Sequence, residues 1–244
     1  MASESEPAAD IQLAPELALF LRPRQRSGQV RVRCDGVSSL GHVVQSLGVP
    51  LTEVGALVVN GVLEQPRYRP CGGDIVVVLP VPRPQQLDRL RFLLDVHLGT
   101  LARRLRLVGV DAEYDRDADD DELIAIANAA RRVLLTKDRA LLQRRSLWRG
   151  AYVRGARTDE QVADVLDRFA PPLAPWTRCM ACNGPLVPAP RADVVPLLKP
   201  GTRRSYESFA RCQDCGRVYW RGAHSDRLQA AVQDAIRVVG GANR

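Results

Sequence analysis

Residues Phe92 to Asp115 read FLLDVHLGTLARRLRLVGVDAEYD, and the architecture of the middle of this chain is decided there. The opening apolar run, closed by Asp95, has the length of a buried strand. Leu98, Leu101, Ala102, Leu105 and Val108 then recur at helical spacing, which predicts a helix with one buried face. DAEYD at 111–115 returns to a strand. The alternation continues outward. DDELIAIANAARR at 120–132 predicts a helix whose leading acids suit its positive end, and RVLLTKD at 132–138 predicts a strand. RALLQRR, AYVRG and TDEQVADVLDRF follow as short helix, strand and helix, the last capped by Thr158. Strands alternating with helices predict an α/β fold with a parallel sheet covered on both sides.

Upstream, residues 16–80 have another rhythm: LALFL, QVRVRC, LVVNG and GGDIVVVLP read as short strands between turn signals. Between them lies SSLGHVVQSLGVP, with Leu40, Val43, Val44 and Leu47 at helical spacing behind a cap at Ser38 or Ser39. VVNG at 58–61 and GGDIVVVLP at 72–80 resemble the β-grasp, ubiquitin-like sulfur-carrier proteins. Those carriers end in a flexible Gly-Gly that is activated, whereas this segment runs on into Pro-Val-Pro, which favours a docking role with an unidentified protein partner. Pro80, Pro82 and Pro84 mark a linker, and Pro171, Pro172 and Pro175 a second break. The expected domains are 1–85, with a short disordered start, 86–171 and 172–244.

The 244 residues, 45% hydrophobic and 26% charged, are enough for folded cores. A net charge of +7 and an isoelectric point near 9.4 are compatible with a polyanion partner, although many basic proteins bind no nucleic acid. No apolar run reaches the roughly 18 residues of a membrane span, and the acidic start MASESEPAAD is unlike a signal peptide, so no membrane partner and a cytoplasmic location are expected.

Asp95 and Asp138 each follow a predicted strand, at the carboxyl edge where open α/β sheets bind ligands. Asp119, Asp120 and Asp121 open a helix on the same expected side, within a stretch from Asp111 to Glu122 in which eight of twelve residues are acidic. Converging carboxylates repel unless a divalent ion joins them, and hard oxygen donors suit Mg²⁺ or Mn²⁺, which can activate water for attack on a phosphodiester. The competing reading is local: such aspartates cap helices or lie on a solvated face. From Arg131 to Arg157 nine Lys and Arg surround one acid, Asp138, which suits a metal site on a polyanion-binding surface. Arg103, Arg104 and Arg106 add charge to the polar face of the first helix, or are ordinary solvated arginines. Lys137 and Arg139 flank Asp138 as candidate RNA contacts.

FLLDVHLGTLARRLRLVGVDAEYD, DADDDELIAIA and VLLTKDRALL resemble the Mut-seven C-terminal ribonucleases, a branch of the PIN-like nucleases, over about Phe92 to Trp220. The resemblance implies a PIN-like core, an N-terminal ubiquitin-like domain and a C-terminal zinc ribbon. It also implies a metal-dependent ribonuclease in which Asp95, Asp120 and Asp138 bind Mg²⁺ or Mn²⁺ and Thr136 orients Asp138, with Asp119 or Asp121 as alternatives for the middle position. Transfer RNA or another structured RNA is the first substrate to consider. The alternative is a non-catalytic RNA-binding adaptor using the basic surface and the ribbon.

Cys179-x-x-Cys182 and Cys212-x-x-Cys215, 29 residues apart, have the spacing of a closed tetrahedral Zn²⁺ site, structural because no position is left open. Iron or a redox role is the remaining possibility for these pairs. Between them Lys199, Arg203, Arg204 and Arg211 stand beside Tyr206 and Phe209, a mixture that can contact nucleic acid or simply pack on the knuckles. His97 reads as a helix-start histidine rather than a catalyst, and His224 as a non-ligand close to the metal, with substrate contact or proton shuttling as its alternative. DRLQAAVQDAIRVV at 226–239 predicts an amphipathic C-terminal helix packing back on the body, or a dimer contact.

Overall fold

The computed structural model describes residues 7–198, 200–201, 206–220 and 225–242. The chain divides by its packing into two compact units, residues 1–82 with 137–152 and residues 83–136 with 153–244.

The first unit is a β-grasp-like sheet wrapped on one helix. Strands β1 (Ala8–Leu13), β2 (Gln29–Arg33), β3 (Val54–Val59), β4 (Val62–Glu64) and β5 (Ile75–Pro80) are ordered β2-β1-β5-β3-β4. The β1–β5 pair is parallel and the other pairs are antiparallel. Helix α1 (Leu40–Ser46) is capped by Ser39, whose hydroxyl accepts from the His42 amide. Its Leu40, Val43 and Val44 join Ile11, Leu17, Phe20, Leu57, Val76 and Val78 in one core.

Two expectations are corrected here. LALFL is not a strand: Pro15 begins a 3₁₀ turn at Pro15–Phe20, with Leu17 and Phe20 buried three residues apart. The first strand lies earlier, in AADIQL, where Ala9, Ile11 and Leu13 alternate inward, ahead of residue 16 where the strand pattern was expected to begin.

This unit also takes in α4 (Arg139–Leu142) and β9 (Gly150–Tyr152). Glu53, buried in the β-grasp, accepts from the Tyr152 amide at 2.9 Å, and Phe20 meets the Tyr152 ring edge-on at 5.1 Å. Arg139 donates to the carbonyls of Leu19 and Phe20 while stacking over the Phe20 ring.

In the second unit β6 (Arg91–Leu94) is flanked by β7 (Asp111–Tyr114) and β8 (Val133–Thr136), both parallel to it. Helix α2 (Gly99–Leu107) links β6 to β7, and α3 (Asp120–Ala129) links β7 to β8. The periodicity holds: Leu98, Leu101, Ala102, Leu105 and Val108 are all buried. Helix α5 (Thr158–Phe169) has Arg157 at its cap position rather than Thr158, and Glu160 receives the Ala156 and Arg157 amides. Arg83 binds Asp164 and Asp167 of α5 at 2.8 Å each, fastening the proline-rich segment from residue 83 onward to this unit.

A three-stranded antiparallel ribbon follows, of β10 (Leu186–Ala189), β11 (Phe209–Cys212) and β12 (Val218–Trp220), with the short helix α6 (Arg191–Val194) beside it. The C-terminal helix α7 (Ser225–Ala242) packs on α5 and buries Val232 and Ala235, as its amphipathic pattern implies. No helix among the described residues is long and apolar enough to cross a membrane.

Candidate metal centres and the acidic edge of the sheet

The ribbon carries one centre. Each cysteine pair closes a tight turn: the Asn183 amide donates to the Cys179 carbonyl at 2.9 Å, and the Gly216 amide to the Cys212 carbonyl at 3.1 Å. Asn183 takes a left-handed φ of 71°, and a side chain at Gly184 would strike the Asp214 carboxylate, so the CNG sequence is what the turn demands. The four sulfurs all lie within 4.8 Å of one another, with Cys179 to Cys215 at 3.7 Å and Cys182 to Cys212 at 3.4 Å. A Zn²⁺ with bonds of about 2.3 Å requires S···S separations of about 3.8 Å, so the donors fit that ion. Among the described residues this is the one set of three or more Cys, His, Asp or Glu so closely gathered.

Electrostatics agree. Burial resists ionisation of Cys179, but hydrogen bonds from Tyr219 and from the Cys182 and Ala181 amides outweigh it and bring the thiol down to about 6. Burial and the neighbouring sulfurs push Cys182 up to about 12. Four crowded thiols thus do not all ionise without a cation, and a bound dication removes that conflict. Tyr219 lies 3.0 Å from the Cys179 sulfur, next to the cluster.

Asp95 follows β6 at the carboxyl end of the parallel sheet. It is 6% exposed, and the hydroxyl of Thr136, the last residue of neighbouring β8, donates to its carboxylate at 2.5 Å. Among the described residues Asp95 has no ion-pair partner. Thr136 therefore holds Asp95.

The other acids have local duties. Asp119 caps α3 in a reciprocal box with Glu122, while Asp120 and Asp121 stand exposed in its first turn. Asp138 caps α4, accepting from Ala140 at 2.7 Å and Leu141 at 3.3 Å. Asp111 and Glu113 bind Arg132 at 2.7 and 2.6 Å.

The basic residues also divide. Arg103 and Lys137 are exposed, Arg104 pairs with Asp159, and Arg139 is committed to the Leu19 and Phe20 carbonyls. Arg106, expected on the polar face, is 3% exposed; it donates to the carbonyls of Ala112, Met180 and Ala181, so it joins β7 to the first cysteine turn and cannot reach a phosphate. Tyr206 and Phe209 pack into the ribbon's small apolar cluster with Val194 and Leu198. Lys199, Arg203, Arg204 and His224 lie outside the described residues.

An α/β unit with a parallel sheet and a four-cysteine ribbon, in one chain with a β-grasp-like unit, defines the class. The Mut7-C RNAse domain family matches residues 90–232, more than half the chain, and the Mut7-C ubiquitin family matches residues 6–86. The chain belongs to the Mut7-C RNAse domain family, with the Mut7-C ubiquitin domain at its N-terminal side. No curated protein and no solved structure matches it.

Proposed function

We propose that this chain is a divalent-metal-dependent ribonuclease acting on phosphodiester bonds of RNA, transfer RNA or another structured RNA being the first substrate to test. The observation that carries the reading is the buried Asp95 carboxylate, held by Thr136 at the carboxyl edge of the sheet with no cation paired to it among the described residues. A buried carboxylate in that condition is costly alone and fits a hard cation. Asp95 would hold it, with Asp120 and Asp138 as the further acids assigned from sequence and Asp119 or Asp121 as neighbours of the middle position. A bound Mg²⁺ or Mn²⁺ supplies a Lewis acid and an activated water for in-line attack. Thr136 orients the Asp95 carboxylate, and Arg103 and Lys137 hold the RNA backbone. The four cysteines hold a structural Zn²⁺.

The test is cleavage of end-labelled RNA by the full chain with Mn²⁺ or Mg²⁺ supplied or omitted. Wild type is expected to cleave only with the ion, and Asp95→Asn and Asp138→Asn to lose at least about 100-fold. Equal rates in wild type and both variants overturn the assignment.

The caps at Asp119 and Asp138 favour one second reading, an RNA-binding adaptor in which the acids serve only their helices. RNA bound but never cleaved, with affinity falling steeply in salt, selects it.

A further inference from the structure

Within the first unit a groove of about 450 Å³ runs between α1 and the segment after α4, lined by His42, Gln45, Arg67, Arg144, Arg145 and Leu147 among others, and no acid lines it. Arg67, Arg144 and Arg145 are exposed, and neither Arg67 nor Arg145 has an ion-pair partner among the described residues. The next residue beyond Leu147 is Trp148, 48% exposed, with the Arg149 guanidinium 4.8 Å from its ring centre. The indole is thus half exposed beside cations and lies outside the apolar core of this unit.

We propose that this composite surface, half β-grasp and half the 137–152 segment, binds single-stranded RNA: arginines on the backbone and Trp148 under a base. Phosphates require positive charge without competing carboxylates, and an exposed indole offers a stacking face tolerant of sequence. An acidic protein would use the arginines but gain less than a nucleobase from the exposed part of an indole. The segment is anchored for this task, because Arg139 on the Leu19 and Phe20 carbonyls and Glu53 on the Tyr152 amide hold both its ends to the β-grasp. The choice of RNA rests on the ribonuclease reading, but the surface can be tested apart from cleavage.

The experiment measures anisotropy of labelled single-stranded RNA on the full-length Asp95→Asn chain, at several salt concentrations. Arg144→Gln/Arg145→Gln should weaken binding at least about tenfold and flatten the logarithmic salt slope by about 1.4, the share of two phosphates on a single strand. Trp148→Ala should weaken it about 5- to 100-fold, and Trp148→Phe should restore most of the loss. Unchanged affinity in both the double variant and Trp148→Ala overturns the surface, and so does tight binding of an acidic protein that ignores Trp148. If wild type never cleaves RNA yet these variants lose binding, the surface stands and the nuclease reading falls. If wild type cleaves and the variants bind normally, the reverse holds.

Discussion

Asp111, at the first position of β7, is where three guanidinium groups meet. Arg132 binds it at 2.7 Å, Arg91 at 3.3 Å and Arg178 at 3.4 Å, while the Asn183 side-chain amide donates at 2.8 Å from the first cysteine turn. Burial alone would raise its pKa, but the hydrogen bonds and charges of Arg132, Asn183 and Arg178 outweigh it and hold the carboxyl below the usual range. A carboxyl depressed in the folded state contributes stability above its unfolded pKa, near 3.9, and loses it as pH falls through the folded value. Asp111→Asn should therefore cost about 2–4 kcal/mol near neutral pH, a deficit that narrows below about pH 4, as urea unfolding at several pH values would show. Thr136→Val keeps the buried shape but leaves Asp95 without its hydroxyl. It should cost about 1–3 kcal/mol and lower metal-dependent cleavage about 10- to 100-fold, measured by unfolding and by rate. Neither interaction is visible in sequence: Asp111 reads as one acid among eight, and Thr136 becomes important only once β8 lies beside β6.

At the scale of elements, the cysteine ribbon has a short strand set and a small apolar cluster of Val194, Leu198 and Phe209. With so little apolar burial, a metal held by the four cysteines would be a main source of its folding energy. Cys182→Ser should abolish stoichiometric zinc and lower the melting temperature, whereas Cys34→Ser, which is not one of the four clustered cysteines, should leave the zinc content unchanged; metal analysis and thermal unfolding decide. The ribbon's attachment depends on a second device. After α2 the chain turns at Gly109, with φ of +86°, and the Ala174 and Trp176 amides donate to the carbonyls of Val108 and Leu107. A Cβ at Gly109 would lie 2.1 Å from the Ala174 carbonyl oxygen. Gly109→Ala should thus cost about 2–4 kcal/mol in chemical unfolding, from the left-handed backbone and the collision together. Apolar period revealed α2 and α7 from sequence, and cysteine spacing revealed the ribbon. The β1 strand was hidden because six residues with one acid and one amide carry a weak pattern, while LALFL nearby carries a stronger apolar one.

For the whole molecule, the net charge of +7 conceals how the charges are used. Much of the acidic run from Asp111 to Glu122 is consumed internally, by Arg132 and by the α3 cap. Several expected RNA contacts are likewise spent on structure, Arg106 and Arg139 above all. The basic segment 137–152 belongs by packing with the N-terminal unit although its sequence interrupts the second. Sequence by itself determined the α/β alternation, three of the four β-grasp strands after residue 28, the four clustered cysteines and the family, because local periodicity and fixed ligand spacing leave marks along one dimension. Tertiary structure alone decided which charges face water, which acid is buried against which hydroxyl, and which unit receives residues 137–152. Those outcomes depend on side chains 20 to 120 positions apart competing for the same partners, and no local pattern records that competition.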